Sequence, residues 1–158
     1  MSDELFVPAD FAVPGGLAAG PFRLEPLGPQ HNAADYAAWT SSLDHIQATP
    51  GFAGWGWPHP MSLADNLGDL ERHAQDFAGR RGFTYTVLGT GTGDVIGCVY
   101  IYPPSGQKPG GGTGGRRAAV RSWVRADRAA LDPVLHDAVL AWLERDWPFD
   151  SVEYAPRA

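Results

Sequence analysis

The apolar pattern of this chain changes period at Gly82, and that change dictates helices packed on a sheet. Before it, apolar residues recur every three or four positions. Tyr36, Trp39, Leu43 and Ile46 form one stripe, which predicts a helix over 30–47. Leu63, Leu67, Leu70, Ala74 and Phe77 form a second, opened by Ser62 with Asp65 three positions on and stopped by Gly79. After Gly82 the runs are β-branched and aromatic. Residues 83–88 and 95–102 predict two strands joined by a turn over 89–94.

The flanking segments complete the order. Residues 1–20 read as an irregular arm held through Phe6 and Phe11. Residues 22–27 alternate Phe22 and Leu24 with Arg23 and Glu25, a half-buried strand. Residues 48–61 form a loop rich in Pro, Gly and aromatics, and 103–115 a glycine-rich loop. Residues 117–125 set Ala119, Arg121, Trp123 and Arg125 against Ala118, Val120, Ser122 and Val124, which is strand alternation. Asp132-Pro133 starts a helix with Leu135, Ala138, Val139, Trp142 and Leu143 inward, and Pro148 ends it near Trp147. Residues 151–154 make a last short strand. The expectation is one α/β (α+β) domain over 21–158. It has a mixed central sheet of five or six strands flanked by three helices, in the order β-α-α-β-β-β-α-β.

Composition removes several functions. With 12 Lys+Arg against 18 Asp+Glu the net charge is −6, which argues against nucleic-acid or anionic-membrane partners. Hydrophobic residues at 44% exclude a disordered chain. Cys98 is the single cysteine, so the fold needs no oxidising compartment. The N-terminus has no basic start and continuous apolar run of a secretory leader, so a cytoplasmic location is expected. The 20 glycines and 14 prolines imply many short elements.

The element order resembles that of the GNAT superfamily of acyl-CoA-dependent N-acetyltransferases. The carriers are Phe22-Arg23-Leu24-Glu25-Pro26-Leu27 with the helices after it, and the hairpin of residues 83–88 and 94–102 with Gly93-Asp94-Val95-Ile96-Gly97 at its turn. The strand over 120–125 followed by the helix from Pro133 completes it. The resemblance implies transfer of an acetyl group from acetyl-CoA to an amine of a small molecule or peptide, with no metal. It implies a cofactor site at Trp123, Val124, Arg125, Arg128, Ala129 and Ala130. It implies an acceptor site at His45, Phe52, Trp55, Trp57, Tyr100 and Arg121, and a homodimer is a further partner expectation. Free amides at a helix start hold the pyrophosphate in such proteins, with glycines allowing close approach. This sequence departs from the pattern: Ala130, Asp132 and Val134 stand at the small positions, Ala126 at the proline, and Pro133 removes a donor. In the family, a later helix often carries a tyrosine that protonates the leaving thiolate. The sequence given stops at Ala158, and Tyr154 is the nearest substitute by position. Two functions therefore stand: an N-acyltransferase, or a non-catalytic GNAT-fold binding or assembly protein that has lost acetyl-CoA.

Other motifs add little. Gly110 to Gly115 contains G-x-G-x-x-G, but it precedes a strand and opens no helix, so the dinucleotide mechanism does not apply. The five histidines are scattered and give no metal-ligand spacing. Arg116, Arg117, Arg121, Arg125 and Arg128 form the one basic cluster. It is either ion-paired, with Asp127, Asp132 or Glu153 as partners, or a wall for an anionic ligand. Asp44 and His45 are the acid–base candidates nearest the aromatic loop.

Overall fold

The strand patterns on both sides of Gly82 close into one six-stranded sheet, seen in a computed structural model that describes residues 5–104 and 116–157. In chain order the strands are β1 (Leu17–Ala19), β2 (Phe22–Pro26), β3 (Phe83–Gly89), β4 (Val95–Tyr102), β5 (Arg117–Val124) and β6 (Ser151–Tyr154). They lie side by side in that order. All neighbours are antiparallel except β5 and β6, which are parallel because α4 (Asp132–Asp146) crosses between them. The other helices are α1 (Asn32–Thr40), α2 (Leu43–Gln47) and α3 (Leu63–Ala78). None is long and apolar enough to cross a membrane.

The alternation of β3, β4 and β5 feeds two cores. On one face Tyr85, Val87, Val99, Ile101, Val120 and Val124 pack against Leu135, Val139, Trp142 and Leu143 of α4, with Phe6 and Val7 of the N-terminal arm. On the other, Cys98, Tyr100 and Trp123 pack under Trp39, Ile46 and Leu70 of α1–α3. A sheet with helices on both faces needs this double-sided burial. Gly97 of β4 pairs with Val124 of β5, and a Cβ there would run into the Trp123 carbonyl. The glycine of the hairpin motif is therefore a packing requirement.

Three expectations change. The helix over 30–47 is interrupted: a 3-10 turn over Pro29–His31 precedes α1, and α1 and α2 separate at Ser41–Ser42, giving four helices. The hydroxyls of Thr40 and Ser41 donate back to the carbonyls of Tyr36 and Ala38 at 2.6 and 2.7 Å, competing with the helical ladder. The arm is not wholly irregular, because Leu17–Ala19 pairs with β2. Leu63, assigned to the inner stripe of α3, is exposed, and Asn66 is buried in its place beside Leu70. Ser62 does cap α3, its hydroxyl accepting from the Asp65 amide at 3.0 Å. The glycine motif over Gly110–Gly115 lies outside the described residues.

Candidate functional site

A cavity of about 620 Å³ opens on the face of the sheet covered by α1–α3. Its floor is Tyr100 and Tyr102 of β4 and Ala119 and Arg121 of β5. One wall is α3 with Asn66, Asp69, His73 and Asp76; the other is the aromatic loop with Trp55 and Trp57. Asp35 of α1 and Glu153 of β6 complete it. The volume suits a small molecule.

Asp35 is 4% exposed. Its Oδ2 accepts from Asn66 Nδ2 at 3.2 Å, and Oδ1 has no protein partner among the described residues. Burial raises its pKa from 3.8 to about 6, against the opposing pull of the Asn66 hydrogen bond and of His31. Asn66 is fixed in turn: its Oδ1 accepts from Trp39 Nε1 at 3.0 Å, and its Nδ2 also donates to Asn32 Oδ1 at 2.8 Å. Each inward group of this buried network therefore has a partner, save the one carboxylate oxygen of Asp35.

The α3 wall carries a second chain of contacts. The Tyr102 hydroxyl donates to Asp76 at 2.8 Å, and His73 Nδ1 lies 3.0 Å from both the Tyr102 and Thr84 hydroxyls. Burial, with Arg72 nearby, lowers the His73 pKa to about 4, so the ring is neutral at pH 7. Burial pushes the Tyr100 and Tyr102 hydroxyls upward. Trp123 Nε1 donates to the Tyr100 hydroxyl at 2.9 Å, which fixes the floor.

Arg121 borders the cavity beside Trp55, its guanidinium 4.4 Å from the ring centre, and its Nε donates to the Gly51 carbonyl at 2.8 Å. Of the rest of the arginine cluster, Arg116 donates from Nη1 to the Leu5 carbonyl, and the other three are ion-paired. Arg117 bonds Glu153 at 2.8 Å, Arg125 bonds Asp127 at 2.7 Å, and Arg128 lies 3.8 Å from Asp127. Bonding to Arg125 lowers the Asp127 pKa.

Beyond Val124 the chain turns through a 3-10 segment (Ala126–Leu131) into α4. Three amides of this corner are engaged. Ala126 N–H donates to the Ser42 hydroxyl at 2.8 Å, and Arg128 N–H to the Arg125 carbonyl at 2.9 Å. The Asp132 amide donates to the Ala129 carbonyl, and Pro133 has none. Arg157 reaches in behind β6. Its Nε donates to Asp132 Oδ2 at 2.7 Å and its Nη2 to the Ser122 carbonyl at 2.9 Å.

The expected acceptor residues divide. Trp55, Trp57, Tyr100 and Arg121 line the cavity. Phe52 does not; it is buried behind Trp55, at 5.3 Å between ring centres. His45 lies elsewhere, at a smaller hollow beside Ala129, Asp132, Pro133 and Arg157. Of the expected cofactor residues, Trp123 and Val124 are buried in the two cores, Arg125 and Arg128 contact Asp127, and Ala129 and Ala130 are exposed. Tyr154 faces α4, on the other side of the sheet. Its ring lies 4.2 Å from His136, its hydroxyl lies 2.6 Å from that of Ser122, and burial raises its pKa. Asp35, Asn66, His73, Asp76 and Tyr102 were missed. The available signal was polar residues at 66, 69, 73 and 76, a helical face of their own on α3. Among the described residues no group of three or more His, Cys, Asp or Glu is placed to hold a metal.

No family profile and no curated protein matches the sequence. Solved structures match the fold. A ribosomal-protein-S5-alanine acetyltransferase from Vibrio fischeri superposes with a TM-score of 0.59 at 10% identity, covering 81% of this chain and 66% of that one. An acetyltransferase from Salmonella typhimurium that modifies the N-terminal serine of ribosomal protein L7/L12 gives 0.56 at 10%, covering 80% and 66%. The microcin C7 self-immunity acetyltransferase, solved with acetyl-CoA and AMP, gives 0.57 at 11%, covering 84% and 66%.

The chain has the GNAT fold. It spans about two thirds of the length of these proteins. The turn from β5 into α4 is the corner where the sequence resemblance places the pyrophosphate. The corner does not fit that group as it stands. The amides of Ala126, Arg128 and Asp132 are already bonded, and the Asp132 carboxylate with its Arg157 partner occupies the helix start.

Proposed function

We propose that this GNAT-fold protein binds a small amine in the 620 Å³ cavity and deprotonates it there for transfer of an acyl group. The observation that carries this reading is Asp35: a carboxylate at the cavity wall, one oxygen open, with a pKa of about 6. A carboxylate so placed attracts an ammonium group and can accept its proton near neutral pH. Neutral His73 and the hydroxyl of Tyr102 offer further polar contacts without competing charge. The aromatic wall supplies faces that favour a cation. Acetyl-CoA, bound by one of the similar proteins, would supply the acyl group.

The corner favours a second reading. Asp132 sets a carboxylate at the helix start, where an anion would otherwise bind, and Arg157 already neutralises it. A GNAT-fold protein that keeps the amine cavity and has lost the donor would look the same. Calorimetry of the protein with acetyl-CoA separates the two. Binding at low-micromolar affinity excludes the second reading; no heat at millimolar ligand excludes acetyl-CoA as the donor.

A further inference from the structure

The ion pairs around the large cavity leave two opposite charges open. Asp69 is bonded to Arg72 at 2.8 Å, Asp76 to Arg81 at 3.2 Å and Glu153 to Arg117 at 2.8 Å. His73 is neutral at pH 7. Among the described residues that line the cavity, only Asp35 and Arg121 have no ion-pair partner. Asp35 keeps Oδ1 free. Arg121 uses only Nε, on the Gly51 carbonyl, so both terminal guanidinium nitrogens have no protein acceptor among the described residues. Its guanidinium is also held in place, stacked on Trp55.

Partly buried charges left without partners are costly, and a ligand that supplies both counter-charges relieves both at once. We infer that the acceptor is a zwitterion, an amine that also carries a carboxylate, with the ammonium at Asp35 and the carboxylate on the open fork of Arg121. A guanidinium with two free coplanar nitrogens matches a carboxylate edge-on through two charge-assisted hydrogen bonds. The cavity volume suits a free amino acid or a short peptide. Arg121 is then a specificity-determining residue, discriminating by the presence of an acidic group and not by side-chain shape.

This inference rests on the cavity being the amine site, and the test separates failure of the two. Equilibrium binding of the whole protein is measured for free phenylalanine, leucine and serine and for glycylglycine. The same amino acids are then measured as C-terminal amides and as N-acetyl derivatives. Free acids are expected to bind at least ~10-fold tighter than either derivative, the loss of one charge-assisted contact. Arg121→Gln is expected to bring acid and amide within about twofold of each other, and Asp35→Asn to weaken both. Amides that bind as tightly as acids overturn the zwitterion while leaving the amine site standing. If no free acid and no amide binds at millimolar concentration, both the zwitterion and the amine site are overturned. The wild-type comparison needs no variant, so a poorly folding Arg121→Gln leaves the test intact. If glycylglycine alone binds among the free acids, the acceptor is the end of a peptide; if the amino acids bind, it is the free amino acid.

Discussion

Arg157 closes the end of the sheet by donating from Nε to the Asp132 carboxylate at 2.7 Å, with its side chain 5% exposed. The same guanidinium donates to the backbone carbonyls of Ser122 and Ala155, so it links β5, the start of α4 and the chain after β6. Removing one member of such a pair leaves the other desolvated and alone. Arg157→Ala is expected to cost about 2–4 kcal/mol in chemical denaturation. Asp132→Asn in that background should recover part of the loss. Strictly additive effects in the double variant would mean that the contact contributes no coupling.

Asp35 and His73 shift in opposite directions and should mask each other in acid. The Asp35 pKa is raised to about 6 from 3.8, so in the window between those values the native state binds the extra proton and stability rises as pH falls. The His73 pKa is lowered to about 4 from 6.5, so the unfolded state binds the extra proton between pH 6.5 and 4 and stability falls. Each contribution is at most about 3 kcal/mol. Wild-type protein should show little net slope from these two groups between pH 4 and 6. Asp35→Asn should be more stable than wild type at pH 7.5 and lose that advantage by pH 4. His73→Gln should gain stability as pH falls from 6 to 4. Parallel melting-temperature curves for the three proteins over that range would contradict this.

Asn66 serves three partners on α1, so replacing it should unsettle the cavity wall. Asn66→Leu strands the Trp39 N–H and the Asp35 carboxylate, and a loss of about 2–4 kcal/mol is expected. The Asp35 pKa should rise further, because a hydrogen bond that lowers it is gone. Carboxyl chemical shifts across a pH titration measure it directly; an unchanged midpoint would show that Asn66 does not tune Asp35.

Ser42 ties the break between α1 and α2 to the corner after β5, its hydroxyl accepting the Ala126 N–H at 2.8 Å. Ser42→Ala should cost about 1 kcal/mol, comparable to loss of a helix cap. Protection of the Ala126 amide against hydrogen exchange should fall with it. Unchanged protection would show that the contact does not hold the corner.

In the sequence β3 and β4 were legible because they are buried on both faces and so read as runs, β2 and β5 because they alternate, and the α3 start because Ser62 and Asp65 are a local signal. The break at Ser41–Ser42 was not, since the periodicity of Tyr36, Trp39, Leu43 and Ile46 runs through it; the hydroxyls that end α1 act on carbonyls and leave the apolar stripe intact. The aromatic wall was legible from Trp55 and Trp57. The acid side was not. Asp35, His73 and Asp76 sit at positions a hydrophobic pattern assigns to solvent, and only the sheet opposite them makes those positions an interior. The weakness of the donor corner was visible in Asp132 and Pro133, whereas the role of Arg157 depends on a contact 25 residues away in sequence.

The most direct test of the proposed activity is release of free thiol from acetyl-CoA by the whole protein in the presence of a panel of amines and amino acids. The predicted result is amine-dependent release that rises with pH through about 6 and falls ~100-fold or more in Asp35→Asn, as loss of a general base does. Absence of amine-dependent release at millimolar acetyl-CoA, or equal rates in Asp35→Asn, would contradict it.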